Sequence, residues 1–172
     1  DLLFIDSDIN FEPGDVFRLM AWSTDPKKGI VAGVPRTRSE DKVYIATLDQ
    51  DDDSLTMNGM GLVRAKRVAT AFMMIRREVF EKLREKHPEW VYHDEKKVGD
   101  EMIAFFDFAL KDGQYIGEDF LFCDRAREEG FEVWIDPTIK LGHMGMEEFA
   151  GAFGEDYLYP LMKSVDSKKD AA

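Results

Sequence analysis

The feature of this sequence that most constrains its fold is a run of four apolar residues, Leu2 to Ile5, which ends abruptly in Asp6-Ser7-Asp8. A continuous apolar run of this length is typical of a strand that is covered on both faces. Asp6 and Asp8 would then follow the carboxyl end of that strand, where open α/β sheets bind their ligands. Because they are two positions apart in extended chain, we expect both carboxylates to project to the same side.

The remaining chain alternates between predicted strands and predicted helices. Strands are predicted over 29–34, 43–48, 63–68, 70–75, 131–135 and 138–141. Helices are predicted from Pro13, over 76–86, from Gly117 to Gly130, over 146–153 and around 157–162, with a solvated acidic loop over 49–53 and an irregular connection over 87–100. This alternation predicts one α/β domain over residues 1–163, with a mixed or parallel sheet and helices on its faces, and a polar tail over 164–172 that frays.

The net charge of the chain limits the classes of partner that it can bind. Thirty-five acidic against twenty-three basic side chains leave a net charge of −12, which repels a phosphate backbone, so we expect no nucleic-acid partner. The same charge disfavours a nucleotide diphosphate unless a bound cation changes the local sign. Two hard carboxylate donors such as Asp6 and Asp8 can hold Mg²⁺ or Mn²⁺.

Cysteine content and hydropathy indicate the compartment. No stretch approaches the roughly 20 apolar residues of a membrane span, so none is expected. Cys123 is the only cysteine and is predicted to pack in the core, and no secretory leader is visible. We therefore expect a reducing, cytoplasmic location. The chain enters a strand pattern at once, without an initiator methionine, and this start suggests a fragment of a longer protein.

The Asp6-Ser7-Asp8 pattern also occurs in three other settings. A solvated turn is the simplest. A calcium-binding EF-hand loop fails, because Phe11 stands where glycine is needed and Phe17 where the bidentate glutamate should be. A haloacid-dehalogenase-like phosphatase also begins with Asp-x-Asp after an apolar strand, but here Asn10 replaces the expected threonine or valine and Gly99-Asp100 follows a polar stretch.

A distant segment carries a more specific pattern. Gly117-Glu118-Asp119 opens a helix that contains Asp124-Arg125, Gly130 ends it, and a strand then leads to Asp136-Pro137 and His143. Together with Asp6-Ser7-Asp8 and the strand-then-helix element from Thr70 to Phe80, this order resembles the GT-A glycosyltransferases. The resemblance covers most of residues 1 to 143.

The resemblance implies a fold and a set of roles. The expected fold is a GT-A-like, nucleotide-diphospho-sugar transferase α/β fold that lacks the N-terminal βα units which grip the nucleotide base. Asp6, Asp8 and His143 would bind the cation, with Mn²⁺ preferred over Mg²⁺ because of the imidazole. Asp6 and Asp8 would also bind the donor together with Ala71, since Ala69-Thr70-Ala71 stands where many relatives have a glycine pair near the donor sugar.

The same resemblance supplies catalytic residues and partners. Asp119 would be the general base of an inverting transfer, and Glu118 would position the acceptor. The expected partners are a nucleotide-sugar donor and an acceptor of unknown identity. A metal-dependent phosphatase and a non-catalytic sugar-nucleotide-binding module stay open as alternatives. Because GT-A folds place the first strand inside the sheet, its exposed edge here predicts a homodimer that forms through or near that strand.

Overall fold

The computed structural model of the chain describes residues 1–51, 54–93, 101–146 and 148–169. Asp52 and Asp53 of the predicted acidic loop, residues 94–100 of the predicted connection, and residues 170–172 of the tail lie outside the described residues.

The described residues form four α-helices and fifteen short strands. The helices are α1 (Pro13–Trp22), α2 (Arg77–Lys86), α3 (Glu118–Glu128) and α4 (Tyr159–Lys169), with a 3₁₀ turn at Pro88–Trp90 and a π-helical segment at Gly154–Leu158. The strands up to the midpoint are β1 (Leu2–Ile5), β2 (Ile9–Asn10), β3 (Ile30–Ala32), β4 (Ala46–Leu48), β5 (Gln50–Asp51), β6 (Ser54–Leu55), β7 (Val63–Val68) and β8 (Phe72–Ile75). Those that follow are β9 (Val91–His93), β10 (Glu101–Ile103), β11 (Ala109–Lys111), β12 (Gln114–Ile116), β13 (Val133–Ile135), β14 (Lys140–Met144) and β15 (Glu148–Ala152).

The main sheet is mixed and has six strands in the order β1-β8-β3-β13-β7-β4. Only β3 and β13 are parallel, and every other neighbouring pair is antiparallel. A second, three-stranded sheet has the order β15-β14-β2 and is antiparallel. This mixed sheet with flanking helices confirms the predicted α/β class.

Each face of the main sheet has its own core. On one face the apolar side chains of α2 and α3, among them Val79 and Phe122, pack on the sheet and are fully buried. Cys123 is fully buried in the same cluster, as predicted. On the other face Leu19 of α1 and Leu141 of β14 cover the sheet. Helices and the small sheet thus remove both faces from water, which is the main source of stability in such a fold.

β1 occupies one edge of the main sheet. It pairs with β8 through the register Leu2↔Ile75 to Ile5↔Phe72, and no other strand of the described ranges pairs with it. Leu3 packs into the core of one face and Phe4 into the core of the other, so both faces are covered at the middle of the strand, as predicted. Leu2 and Ile5 at its ends remain 46% and 38% exposed.

Three sequence-based predictions differ from the structure. Within the helix predicted over 146–153, residues 148–152 form strand β15, which pairs with β14. Asp49 of the predicted solvated loop is ion-paired with Arg64 and Lys66, because it directly follows strand β4 and its N–H donates to the carbonyl of Arg64 on β7. Helix α4 covers Tyr159–Lys169, whereas the helix was predicted around 157–162. Across the described ranges, each helix is too short or too polar to span a bilayer.

Candidate functional site

The chain after β1 folds back on itself at Asp6-Ser7-Asp8. The N–H of Asp6 donates to the carbonyl of Ala71 at 3.0 Å, and the N–H of Ile9 donates to the carbonyl of Asp6 at 3.0 Å, which closes a turn. Ile9 is buried, so the chain is drawn inward directly after the turn. The prediction that Asp6 and Asp8 lie in one extended segment is therefore wrong, because the turn reverses the chain between them.

The turn delivers Asp8 to β14. Its carbonyl accepts a hydrogen bond from the N–H of Met144 at 2.8 Å, and Ile9 is the register partner of His143. The side chains of Asp8 and His143 consequently meet, and Asp8 Oδ2 lies 3.5 Å from His143 Nε2. Proximity of Asp8 and His143 is what the sequence predicted, although the two residues are far apart along the chain.

A backbone hydrogen bond fixes the orientation of the His143 ring. Nδ1 lies 2.8 Å from the carbonyl oxygen of Arg36, and since a carbonyl can only accept, Nδ1 carries the proton. In the neutral ring the lone pair therefore sits on Nε2, which faces Asp8. Metal-binding histidines are commonly oriented by such a bond on their second nitrogen.

The separation between Asp8 and His143 fits a shared cation. Two ligands held about 2.1 Å from one metal at angles of 90 to 110° lie roughly 3.0 to 3.4 Å apart. Oδ2 and Nε2, at 3.5 Å, are within reach of that geometry. Among the described residues, however, no group of three His, Cys, Asp or Glu side chains is placed to hold a metal ion, so Asp6 does not join the other two.

A guanidinium group also contacts Asp8. Arg38, in the loop between β3 and β4, forms an ion pair with Asp8 Oδ2, the same oxygen that faces His143. A surface depression of about 610 Å³ adjoins it and is lined by Arg38, Gly145, Met146 and Phe149. Arg38 is not among the site residues predicted from the sequence. The available signal was a pair of arginines, Arg36 and Arg38, directly after a buried strand in a strongly acidic chain.

Asp119 lies in the first turn of α3 and faces the turn between β7 and β8. Its Oδ2 accepts from the N–H of Thr70 at 3.1 Å, and its Oδ1 accepts from the Thr70 hydroxyl at 3.2 Å. The N-cap residue is Gly117, and no side chain caps the helix. Asp119 therefore makes a contact between distant parts of the chain instead of a local cap.

The environment of Asp119 favours a basic carboxylate. Burial raises its pKa, two hydrogen bonds from Thr70 oppose that effect, and the negative charges of Glu118 and Asp6 raise the pKa further. Asp6 is thus an electrostatic neighbour of Asp119, whereas Asp8 belongs with His143. Glu118 is exposed at the start of the same helix.

Ala71 joins these two groups. It is buried, and its carbonyl holds the N–H of Asp6, while the preceding residue, Thr70, holds Asp119. Thr70 and Ala71, directly before β8, therefore bond to the start of α3 and to the residue after β1, and hold these two parts of the chain next to each other. In this arrangement a half-buried carboxylate on α3 and an Asp–His pair on the small sheet are both tied to the Asp6-Ser7-Asp8 turn.

Comparison with known proteins gives a likeness of fold alone. No family model matches the chain, and no curated protein matches it. A solved structure, described as "Crystal Structure of A197 from STIV", is similar with a TM-score of 0.50 and 16% sequence identity. The likeness covers 88% of this chain, which spans 61% of the length of that one. This protein thus shares a mixed α/β fold with A197, and its chemistry has to be argued from its own residues.

Proposed function

We propose that this chain is a catalytic portion of a metal-dependent, GT-A-like glycosyltransferase that moves a sugar from a nucleotide-sugar donor to an acceptor hydroxyl. The observation that carries the proposal is the meeting of Asp8 and His143, with Asp8 Oδ2 3.5 Å from Nε2, the ring nitrogen that is not bonded to the Arg36 carbonyl. The position of β1 is compatible with the proposed fold, in which strands from N-terminal units would lie along its free edge.

Asp8 and His143 would hold the cation, and donor phosphate oxygens and water would complete its coordination. Bound there, Mn²⁺ or Mg²⁺ would neutralise the charge that builds on the leaving nucleoside diphosphate. Asp6 would contribute through water or through the donor ribose, since its carboxylate is not clustered with the other two. Ala71, which is buried, would form part of the wall beside the donor sugar.

Asp119 would be the base of this reaction. Its carboxylate takes the proton from the acceptor hydroxyl as that oxygen bonds to the anomeric carbon and the bond from this carbon to the diphosphate breaks. The two hydrogen bonds from Thr70 orient the carboxylate and leave further lone pairs free. Glu118, exposed one residue earlier, would contact the acceptor.

The test begins with metal binding. Mn²⁺ affinity, measured from the free-ion electron paramagnetic resonance signal, should fall at least about tenfold in Asp8→Asn and in His143→Gln. His93→Gln is the matched control, because His93 is exposed on β9, and it should bind Mn²⁺ like the unaltered protein. Equal Mn²⁺ affinity in all four proteins would contradict the proposed metal site.

Activity is then tested with a panel of nucleotide-sugars, assayed for Mn²⁺-dependent hydrolysis and preferably with a chain extended at its N-terminus. Asp119→Asn should lose turnover at least about a hundredfold while Mn²⁺ affinity is kept, because only the base is removed. Unchanged turnover would argue for a retaining mechanism. A fluoroberyllate adduct on Asp6 would instead identify a phosphatase, and binding of Mn²⁺ and donor without turnover would identify a non-catalytic module.

A further inference from the structure

The loop that carries Arg38 is braced on the candidate metal site. The Arg36 guanidinium donates to the carbonyls of Ser39 and Glu40 at 2.7 Å each, and the N–H of Thr37 donates to the carbonyl of Val43 at 2.8 Å. The Arg36 carbonyl accepts the His143 Nδ1 proton. The loop is therefore held by its own hydrogen bonds and by the one to His143, and these bonds fix the backbone position of Arg38 beside the site.

Arg38 holds the oxygen that a cation would need. Its guanidinium pairs with Asp8 Oδ2, and the same atom faces His143 Nε2. A divalent cation bound between Asp8 and His143 would lie within a few ångströms of the guanidinium, and two positive groups at that distance repel each other. Cation and guanidinium would therefore compete for Asp8.

The Arg38 side chain has somewhere else to go. It is 46% exposed and it borders the depression of about 610 Å³ that includes Gly145 and Phe149. A guanidinium offers a fork of N–H donors that matches two phosphate oxygens, and this pairing is stronger than one with a single carboxylate oxygen. A diphosphate coordinated to the cation would place such oxygens next to the displaced side chain.

We propose that Arg38 is a positioning residue that neutralises Asp8 in the absence of a cation and moves to the diphosphate when the cation and the donor bind. The inference rests on the proposed function. It predicts that the affinities for the cation and for the diphosphate change in opposite directions when Arg38 is replaced. Loss of the guanidinium should strengthen the binding of the cation alone and weaken the binding of a diphosphate in the presence of the cation.

Arg38→Gln tests both halves. By the Mn²⁺ resonance titration its affinity for Mn²⁺ should rise roughly two- to fivefold, the range of a partly exposed ion pair. By calorimetry at saturating Mn²⁺, its affinity for inorganic pyrophosphate should fall about tenfold, as expected for a lost hydrogen bond to a charged group. Arg38→Lys keeps the positive charge but not the fork of N–H donors. Its Mn²⁺ affinity should therefore stay as low as that of the unaltered protein, while part of the pyrophosphate affinity is lost.

Arg84→Gln is the matched control, because it removes the same charge from an exposed position on α2, where Arg84 pairs with Glu101. It should change neither affinity. If Mn²⁺ binds the unaltered protein and is lost in His143→Gln, yet Arg38→Gln binds it equally, the metal site stands and the competition is overturned. Unchanged pyrophosphate affinity in Arg38→Gln would overturn the transfer to phosphate. If neither the unaltered protein nor Arg38→Gln binds Mn²⁺, the proposed function itself fails.

Discussion

At the scale of single residues, the properties of Asp119 come from opposing effects on one carboxylate. Burial and the charges of Glu118 and Asp6 raise its pKa, while the Thr70 hydroxyl and N–H stabilise the ionised form. A base must be ionised to accept a proton, so if Asp119 is the base of the proposed transfer, turnover should fall as the pH drops through the raised pKa. The acid limit of activity is thus expected above the ordinary aspartate value of about 3.9.

Thr70→Val isolates one of these effects. The substitution keeps the side-chain shape and the backbone N–H but removes the hydroxyl that donates to Asp119 Oδ1. Because that bond favours the charged carboxylate, its loss should raise the Asp119 pKa above that of the unaltered protein. The ¹³C chemical shift of the Asp119 carboxyl, followed against pH, measures this directly and does not depend on turnover.

Thr47→Val on β4 is the control for Thr70→Val, since Thr47 is exposed and is not among the residues that shift the Asp119 pKa. It should leave the Asp119 titration where it is. A titration curve for Thr70→Val that coincides with that of the unaltered protein would mean that the hydroxyl contact does not persist in solution.

At the scale of secondary structure, local pattern was sufficient wherever an element carries its own signal. β1 matches its apolar run, α1 begins at Pro13 as predicted, and α3 ends before Gly130, whose φ of +89° suits glycine. The segment 148–152 has no such signal. Its Glu-Phe-Ala-Gly-Ala sequence is compatible with helix, and it becomes a strand because β14 pairs with it along its whole length.

A carboxylate secures β15 against the rest of the domain. Asp156 accepts from the Tyr44 hydroxyl at 2.8 Å and from the N–H of Ala152 at 3.1 Å, and it pairs with Lys42. The Lys42 ammonium and these hydrogen bonds lower the Asp156 pKa. Because this contact joins positions more than 100 residues apart, no short-range pattern could have predicted the strand.

Asp156→Asn should therefore destabilise the fold by about 1 to 3 kcal/mol at neutral pH, the range for hydrogen bonds to a charged group. The folded-state pKa lies below the unfolded value of about 3.9, so this contribution is complete above that value and is lost as the pH falls through the folded-state pKa. Urea unfolding at pH 7 and near pH 3 measures the difference, which should shrink at the lower pH.

The neighbouring Glu155 provides the control for Asp156. It pairs with Lys140 at 3.0 Å, but both side chains are about two thirds exposed. Glu155→Gln should change the unfolding free energy by less than about 0.5 kcal/mol at either pH. A loss in Asp156→Asn no larger than this would show that the Tyr44 and Lys42 contacts add little to stability.

At the scale of the whole molecule, part of the candidate site followed from the sequence and part did not. The meeting of Asp8 and His143 was predicted from the order of the motifs along the chain, although a β-turn and the β2–β14 pairing bring it about. The separation of Asp6 from that pair could not be predicted, since it depends on the hydrogen bond from the Asp6 N–H to the Ala71 carbonyl. Arg38 was not predicted, because its partner is fixed by the course of a loop.

One edge of the main sheet, strand β1, is not paired with a further strand of the described residues. β1 is bonded to β8 on one side only within the described residues, so its other side presents backbone N–H and C=O groups. Beside it lies an apolar depression of about 350 Å³ lined by Asp1, Leu2, Arg77, Phe80, Phe105 and Phe106. An unpaired edge next to exposed apolar side chains favours association with another strand.

We therefore expect this chain to form a two-fold homodimer in which β1 pairs antiparallel with β1 of a second copy. A two-fold axis perpendicular to the sheet places identical strands antiparallel, and closed two-fold pairing is the commonest form of association. Light scattering and sedimentation at tens of micromolar should give twice the mass of 19.8 kDa.

Leu2→Lys combined with Ile5→Lys places charge on both faces of this edge, where both side chains are partly exposed, and should return the protein to monomer. Leu110→Lys is the control, because Leu110 is 75% exposed on β11, which belongs to a separate two-stranded sheet. It should leave the dimer intact, since its contact surface is different. A clean monomer of the unaltered chain would contradict edge pairing, and a dimer that survives the double lysine substitution but is lost in Leu110→Lys would move the interface to the β11–β12 hairpin.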